Sequence, residues 1–524
     1  MKKLLYSLGI ILLGMTAYIA YKKDSPLSIT KGIRLAILTD PFSFDPRVAV
    51  DVSSQSILQG LFEGLMRIDK QGNLAFGMAR FYEVSKDKKT YTFFLKNNFW
   101  SNGEPLTAHH FEQAWKKILS PSFFTKVAFL FYPIKNAKQA KEGRCSLDEV
   151  GIHTIDDYTL QVSLQSPTEY FLHLLTNPCF SPGHESNDLF FANHNASTLL
   201  SNGPFTLSFW KPKNTILFVK NPYYWESSVI AIDTISFSII SDPTTALSLF
   251  ENREIDLVDS TLVSIEAIPD LQKRSTCLQA IDCLAMLWLP INVQSYPLNH
   301  IKIRKALSLA IDKPYIIQHF YHGEETPATS IVPRKLQLRP SSSLPYFSLK
   351  AAQDLFNEAL QEMNLTLETF PKITILGLSS HKHMQILQIL QQQWQEKLGI
   401  KVEIEINDPK TTFDKIFHLN YQIALFGWAS YFNDPIYNLG IFGSSFDITG
   451  WNNTKYQELL EQSNEELDSY KRKQILYEAE EYILEEMPII PLFDTPYYFL
   501  VNDRIKNLTF NSFGKPIFTY VQIE

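Results

Sequence analysis

Cysteine, excess basic charge and long apolar stretches are all scarce in this chain of 524 residues. Its four cysteines, Cys145, Cys179, Cys277 and Cys283, lack the C-x-x-C spacing that grips zinc. Cys277 and Cys283 are close enough in sequence to close a small hairpin disulfide in an oxidising compartment; two buried thiols are the alternative. A formal net charge of −7 argues against a general nucleic-acid role, because phosphate contacts need a basic surface. Past the N-terminal region no segment is apolar over the length that spans a bilayer. Low-complexity linkers and internal repeats are absent too. What remains, 45% hydrophobic and 20% charged, is the composition of an ordinary globular protein. At roughly 150 residues per domain it has room for about three units.

Recognisable catalytic machinery is also missing. The sequence has no G-x-S-x-G, H-E-x-x-H, Walker loop or dinucleotide fingerprint. No carboxylate pair is singled out for glycoside hydrolysis. The chain is therefore expected not to be an enzyme and to need no cofactor; a hydrolase is the alternative from another class. His381 and His383 form a candidate metal pair without a third ligand nearby, or simply a polar helix start, so no metal is expected. His109 and His110 fall in the first turn of a helix and are expected at the surface.

The N-terminus is distinctive. Lys2 and Lys3 precede an apolar run from Leu4 to Ala20, closed by Tyr21-Lys22-Lys23, the layout of an export signal. Tyr18 makes a poor cleavage site before Ala20, and the run nears the lower limit for a membrane span. Residues 1–23 thus read as a cleaved signal or a retained anchor. No cysteine precedes Cys145, which excludes a lipid-modified N-terminal cysteine. The expected location is the periplasm or the outer face of the cytoplasmic membrane.

Periodicity predicts a strand over 33–38, then a helix with Ile57, Leu58, Leu61, Phe62 and Leu65 on one face. Alternation marks strands at Tyr91–Leu95 and Tyr158–Leu164, with Thr107 capping a helix between them. Strands dominate from 201 to 285. Beyond Asn292 helices and strands alternate, as in a β/α lobe. There the helices Leu349–Met363 and one ending at Leu398 before Gly399 flank the strands Ile373–Leu378 and Val402–Ile406. A further strand is expected over Tyr421–Trp428, then two charged helices, 454–466 and 469–486. After that strand, Phe426-Gly427-Trp428 leads into Asn433-Asp434-Pro435. A strand end with a glycine and several aromatics suits an extended peptide added as a further strand; a packed corner with Trp428 in the core is the competing reading.

Several blocks in order give a family resemblance. They are Leu61-Phe62-Glu63-Gly64-Leu65, Trp100-Ser101-Asn102-Gly103-Glu104-Pro105-Leu106-Thr107-Ala108, Ile155-Asp156-Asp157-Tyr158-Thr159-Leu160, Ser201-Asn202-Gly203-Pro204-Phe205, Asn221-Pro222-Tyr223-Tyr224-Trp225 and Ile303-Arg304-Lys305-Ala306-Leu307. Over about 35–523 the chain resembles the bacterial extracellular solute-binding proteins of the oligopeptide and dipeptide transport type. The resemblance implies an α/β fold: a two-lobed, three-domain periplasmic-binding-protein clamp of class II with a hinge cleft. Lobe I would take its core from 30–66, 190–285 and 500–524, with 67–189 as its extra domain and 286–499 as lobe II. Such a protein would be a monomer that binds peptide and serves the permease of an ABC transporter, whose ATPase lies on the far side of the membrane.

The resemblance also implies contacts. Asp51 and Val52 would offer backbone groups to the peptide. Gly427 would pair with it, Trp428 would line a side-chain pocket, and Tyr132 and Asn177 are further pocket candidates. One position departs from the family. Its oligopeptide binders hold the peptide's α-amine with an aspartate three residues after this tryptophan, where the present chain has Tyr431. Loss of one partner of a buried ion pair costs about 3–5 kcal/mol. The resemblance places Ile416 and Leu425 where the family has arginines. Asp434 is a candidate substitute for the lost acid, as is a cation–π contact with Tyr431. A blocked or branched peptide such as a cell-wall stem peptide, or another solute such as a metal complex, haem or an oligosaccharide, is the alternative ligand.

Overall fold

The computed structural model describes residues 31–49, 52–193, 195–274, 277–321, 325–338, 347–442, 447–511 and 513–524. The expected signal or anchor at 1–23, and Asp51, lie outside them. No described helix is long and apolar enough to cross a membrane.

A seven-stranded sheet organises the first lobe, in the order Phe205–Lys211, Thr215–Lys220, Thr234–Ile239, Gly32–Ile37, Leu257–Val258, Tyr497–Val501 and Leu278–Ile281. Gly32–Ile37 pairs in parallel with Thr234–Ile239 on one side and Leu257–Val258 on the other. Parallel strands are covered on both faces, so they read as continuous apolar runs. Ile33, Leu35, Ala36 and Ile37 are all buried. The crossover from Ile239 to Leu257 is the helix Pro243–Glu251, whose cap Asp242 accepts the Thr245 N–H at 2.7 Å.

The expected helix after Asp45-Pro46 spans Val52–Leu61 and stops four residues before Leu65. Gly203 explains the stop. Its N–H donates to Leu61 O at 2.9 Å, and a Cβ there would lie 2.6 Å from the Leu61 carbonyl carbon. Asn202 meanwhile accepts the Glu63 N–H, so a remote loop satisfies the groups that would have continued the helix.

Residues between these core segments build a four-stranded antiparallel sheet, in the order Ala79–Val84, Thr90–Leu95, Thr159–Ser163 and Ile152–Asp156. Helix Ala108–Leu119 packs against it, capped by Thr107 as expected. His109 is exposed, but His110 corrects the surface expectation. Its ring is half-buried, stacks 5.7 Å from His184, and accepts the Thr107 N–H at Nδ1. Burial first, then the neighbouring His184, holds it below the usual histidine range.

The second lobe carries a three-stranded parallel sheet, Val402–Asn407, Ile373–Leu378 and Ile423–Ala424, with helices Leu349–Glu362, His381–Leu398 and Pro409–Phe417. Beside it stands a four-stranded sheet in the order Thr326–Pro327, Ile489–Asp494, Ala285–Pro290 and Phe426–Ala429. The single strand expected over Tyr421–Trp428 is therefore two strands in two sheets. Leu425 is the step between them, its N–H donating to Leu376 O at 2.8 Å. Alternation of apolar residues cannot report this, because each half is apolar in its own sheet.

Among the described residues, two chain passages run side by side between the seven-stranded and the four-stranded sheet. Leu278–Ile281 leads through Asp282 to Ala285–Pro290, and Ile489–Asp494 leads through Thr495 to Tyr497–Val501. They run antiparallel side by side, with Ile281 opposite Tyr497 and Met286 opposite Asp494. Tyr497–Val501 belongs wholly to the first sheet, so the second passage between the sheets falls at 495–496. Cys283 donates its thiol to Thr495 O at 3.5 Å across the passages, and no disulfide joins it to Cys277.

Candidate ligand cleft

The strand Phe426–Ala429 is an edge. Phe426 is buried, Trp428 half-buried, and Gly427 and Ala429 exposed, the two-residue alternation of a strand with one covered face. Among the described residues it pairs with Ala285–Trp288 on one side only, with Met286 opposite Trp428 and Leu287 opposite Gly427. Ser430 N–H donates to Leu284 O at 2.9 Å, while Ala285 O turns the other way to accept from Thr495. Bonded and non-bonded pairs alternate along an antiparallel ladder. Trp428 and Phe426 thus spend their backbone groups on the neighbour, and Gly427 and Ala429 turn theirs outward. A Cβ on Gly427 would meet nothing within 4 Å. Open edges are ordinarily blocked because they recruit other strands; this one is left accessible and narrow.

Aromatic rings form the wall behind it. Trp428 stacks on Trp288 at 6.1 Å and on Tyr437 at 5.6 Å. Tyr431 meets Tyr437 edge-on at 5.9 Å and Phe129 at 6.4 Å. Phe129 lies in the turn Ala128–Phe131 of the first lobe, so this contact bridges the two lobes. A second bridge stacks Tyr170 on Phe432 at 4.3 Å. Beyond it Ser469 Oγ donates to Glu169 at 2.6 Å and Lys88 Nζ donates to Leu467 O at 3.0 Å.

The expected site residues separate into groups. Gly427, Trp428 and Tyr431 come together at the edge strand and its wall. Val52 begins the helix Val52–Leu61. Tyr132 ends the Ala128–Phe131 turn, half-buried, its hydroxyl pushed up in pKa by burial and then by Glu142. Asn177 is buried and caps the turn Pro178–Phe180, its Oδ1 accepting the Cys179 N–H at 3.1 Å. Asp434 is gripped by Arg472, with nitrogen–oxygen distances of 2.8 and 2.9 Å, so its charge is already matched.

Ile416 sits inside the helix Pro409–Phe417, and Leu425 occupies the step between sheets. Both side chains are packed in hydrophobic cores, so neither stands where an arginine would face a ligand. His383 is structural. Its Nδ1 accepts the Leu378 N–H at 3.3 Å, and no group of three metal-binding side chains occurs among the described residues. Neither Phe129 and Tyr170 as bridging rings nor Arg472 as the partner of Asp434 was legible in the sequence. Arg472 sits in a helix whose charged surroundings read as a solvated face, yet it is buried.

Residues 73–450 match the family of bacterial extracellular solute-binding proteins, family 5. The chain is 34% identical over 511 residues to the oligopeptide-binding protein OppA of Bacillus subtilis, covering 95% of this chain and 93% of that one. It is 30% identical over 489 residues to the dipeptide-binding protein DppE of the same organism, covering 91% and 89%. A crystal structure of a periplasmic oligopeptide-binding protein from Borrelia burgdorferi superposes with a TM-score of 0.83 at 26% identity, covering 94% of this chain and 100% of that one.

Proposed function

The chain belongs to family 5 of the bacterial extracellular solute-binding proteins, and from that premise we propose that it is the extracytoplasmic receptor of an ABC importer for oligopeptides. In this reading a peptide lies in the cleft as an added strand and is then handed to the permease. The observation that carries it is the free edge at Gly427 and Ala429. Among the described residues, Gly427 and Ala429 of this strand leave N–H and C=O groups without a strand partner, beside the rings of Trp428, Tyr431 and Tyr437. Main-chain pairing of this kind binds peptides with little regard to sequence, while side pockets select among side chains.

Closure is a hinge motion about the passages at 282–284 and 495–496. Contacts made across the lobes, such as Tyr170 on Phe432, exist only when the lobes are together. A ligand touching both lobes favours that state by its differential affinity. Mass spectrometry of material released from the purified protein, followed by calorimetry with peptides of graded length, tests the reading. Co-purifying peptides and saturable binding are expected. A protein that carries no peptide and binds none at any length overturns it.

A further inference from the structure

The inference rests on the peptide-receptor reading and concerns which group holds the ligand's positive end. Tyr431 carries no charge to offer an ammonium, and Asp434 is committed to Arg472. Another carboxylate stands at the same end of the cleft. In open α/β sheets, ligand crevices lie beyond the carboxyl ends of the parallel strands. Asp259 is the first residue past the carboxyl end of Leu257–Val258, and its N–H donates to Ala36 O of the neighbouring strand at 3.0 Å.

The strand Tyr497–Val501 runs antiparallel beside it, with Leu257 opposite Val501. Its first residue, Tyr497, therefore lies at the same end, next to the hinge. Residues two apart on a strand share a face, and residues opposite each other do too. Asp259 continues the face of Leu257, and Tyr497 that of Phe499 and Val501, so the two project on one side. From the other lobe, Ser430 is bonded to Leu284 of the hinge, which brings Tyr431 to this point as well. The Tyr497 hydroxyl accordingly is pushed up in pKa by burial first, then by Cys283, Asp259 and Tyr431.

The state of the Asp259 carboxylate sets it apart. Its residue is 7% exposed, as buried as Asp45 and Asp434. Each of those holds an arginine, Arg47 and Arg472 respectively. Asp259 has only the Thr261 N–H and hydroxyl, at 3.0 and 2.8 Å, both on Oδ1. Among the described residues no lysine, arginine or histidine pairs with it. Lys515 Nζ lies 5.4 Å from the centroid of the Tyr497 ring. A buried carboxylate with one oxygen unspent, on the same face as the Tyr497 ring, is a receptor for an ammonium.

We propose that Asp259 binds the free α-amine of the peptide from lobe I, in place of the acid that lobe II lacks at Tyr431. A library of short lysine-free peptides and the same library N-acetylated are offered to the full-length protein, and the bound fractions are read by mass spectrometry. Wild type is expected to enrich the free-amine form about 30-fold or more. Asp259→Asn is expected to abolish that preference while acetylated peptides bind as before. Asparagine retains the acceptor for Thr261, and a melting curve checks the fold. Tyr431→Asp placed in the Asp259→Asn background is expected to restore the preference, which a merely structural role for Asp259 would not allow. Should wild type show no preference, or Asp259→Asn keep it, the inference is overturned with the peptide reading intact. Should wild type retain neither library, both fall together.

Discussion

Arg472 reaches from the helix Ser469–Glu486 to hold both carboxylate oxygens of Asp434, at 2.8 and 2.9 Å, with 5% and 8% of the two side chains exposed. The pair pins the segment that carries Tyr431 and Phe432 against the helix. Those rings make the two bridges to the first lobe, so a local ion pair sets the position of an interlobe surface. Removing one partner strands a buried charge. Arg472→Met is expected to destabilise the fold by about 3–5 kcal/mol in denaturant titration. Adding Asp434→Leu should recover much of that loss, because it is the orphaned carboxylate that is costly. Full additivity of the two changes would show that the pair is not coupled.

The backbone alternation along the edge strand has its own test. Gly427→Pro removes an N–H that faces the open edge, whereas Trp428→Pro removes one bonded to Met286. Proline is tolerated in edge strands only with its missing donor on the solvent side. Gly427→Pro is expected to leave the melting temperature nearly unchanged and to weaken peptide binding by roughly 2- to 10-fold, the worth of one main-chain hydrogen bond. Trp428→Pro should lower stability outright. The reverse pattern would mean that the outward-facing groups belong to Phe426 and Trp428.

Two titrating groups in the second lobe act in opposite directions with pH. His383, pushed down to about 4 by burial and then by Lys382, is neutral in the native state because its Nδ1 accepts a backbone N–H. The unfolded chain takes up that proton first, near pH 6.5. Stability is therefore lost as pH falls from about 6.5 toward 4, by up to about 3 kcal/mol. His383→Asn, which keeps an acceptor, should flatten that part of the profile. Asp494 is pushed up to about 6 by burial, with Asp282 adding to the effect. Its contribution is full below about pH 4 and is lost as pH rises through 6. Asp494→Asn is expected to stabilise the protein by up to about 3 kcal/mol at pH 7 and to change little near pH 4. Equal effects of either variant at all pH values would contradict these assignments.

Gly203→Ala tests what stops the first helix. Its Cβ would fall 2.6 Å from backbone atoms that cannot yield like a flexible side chain. A loss of about 1–3 kcal/mol is expected in thermal or denaturant unfolding. An unchanged melting temperature would mean that the Leu61–Gly203 contact is looser than the 2.9 Å bond implies.

Much of the architecture is written locally. The helix Ser469–Glu486, the capped helix after Thr107 and the strand Ile373–Leu378 lie where periodicity and capping residues place them. Those signals act within a few residues, so they survive in sequence. The block from Phe426 to Pro435 was legible for the same reason, as a run of neighbouring residues after a strand. What the sequence by itself determined, then, is the family and most of the succession of elements. Tertiary structure alone decided that Tyr421–Trp428 divides between two sheets, that Arg472 consumes Asp434, and that Asp259 and Tyr497 come to the same end of the first sheet. These depend on pairings across tens to hundreds of residues, such as Leu257 with Val501 and Ala285 with Ala429. Charge and burial at such points are properties of the partner brought near, which no local pattern of side chains encodes.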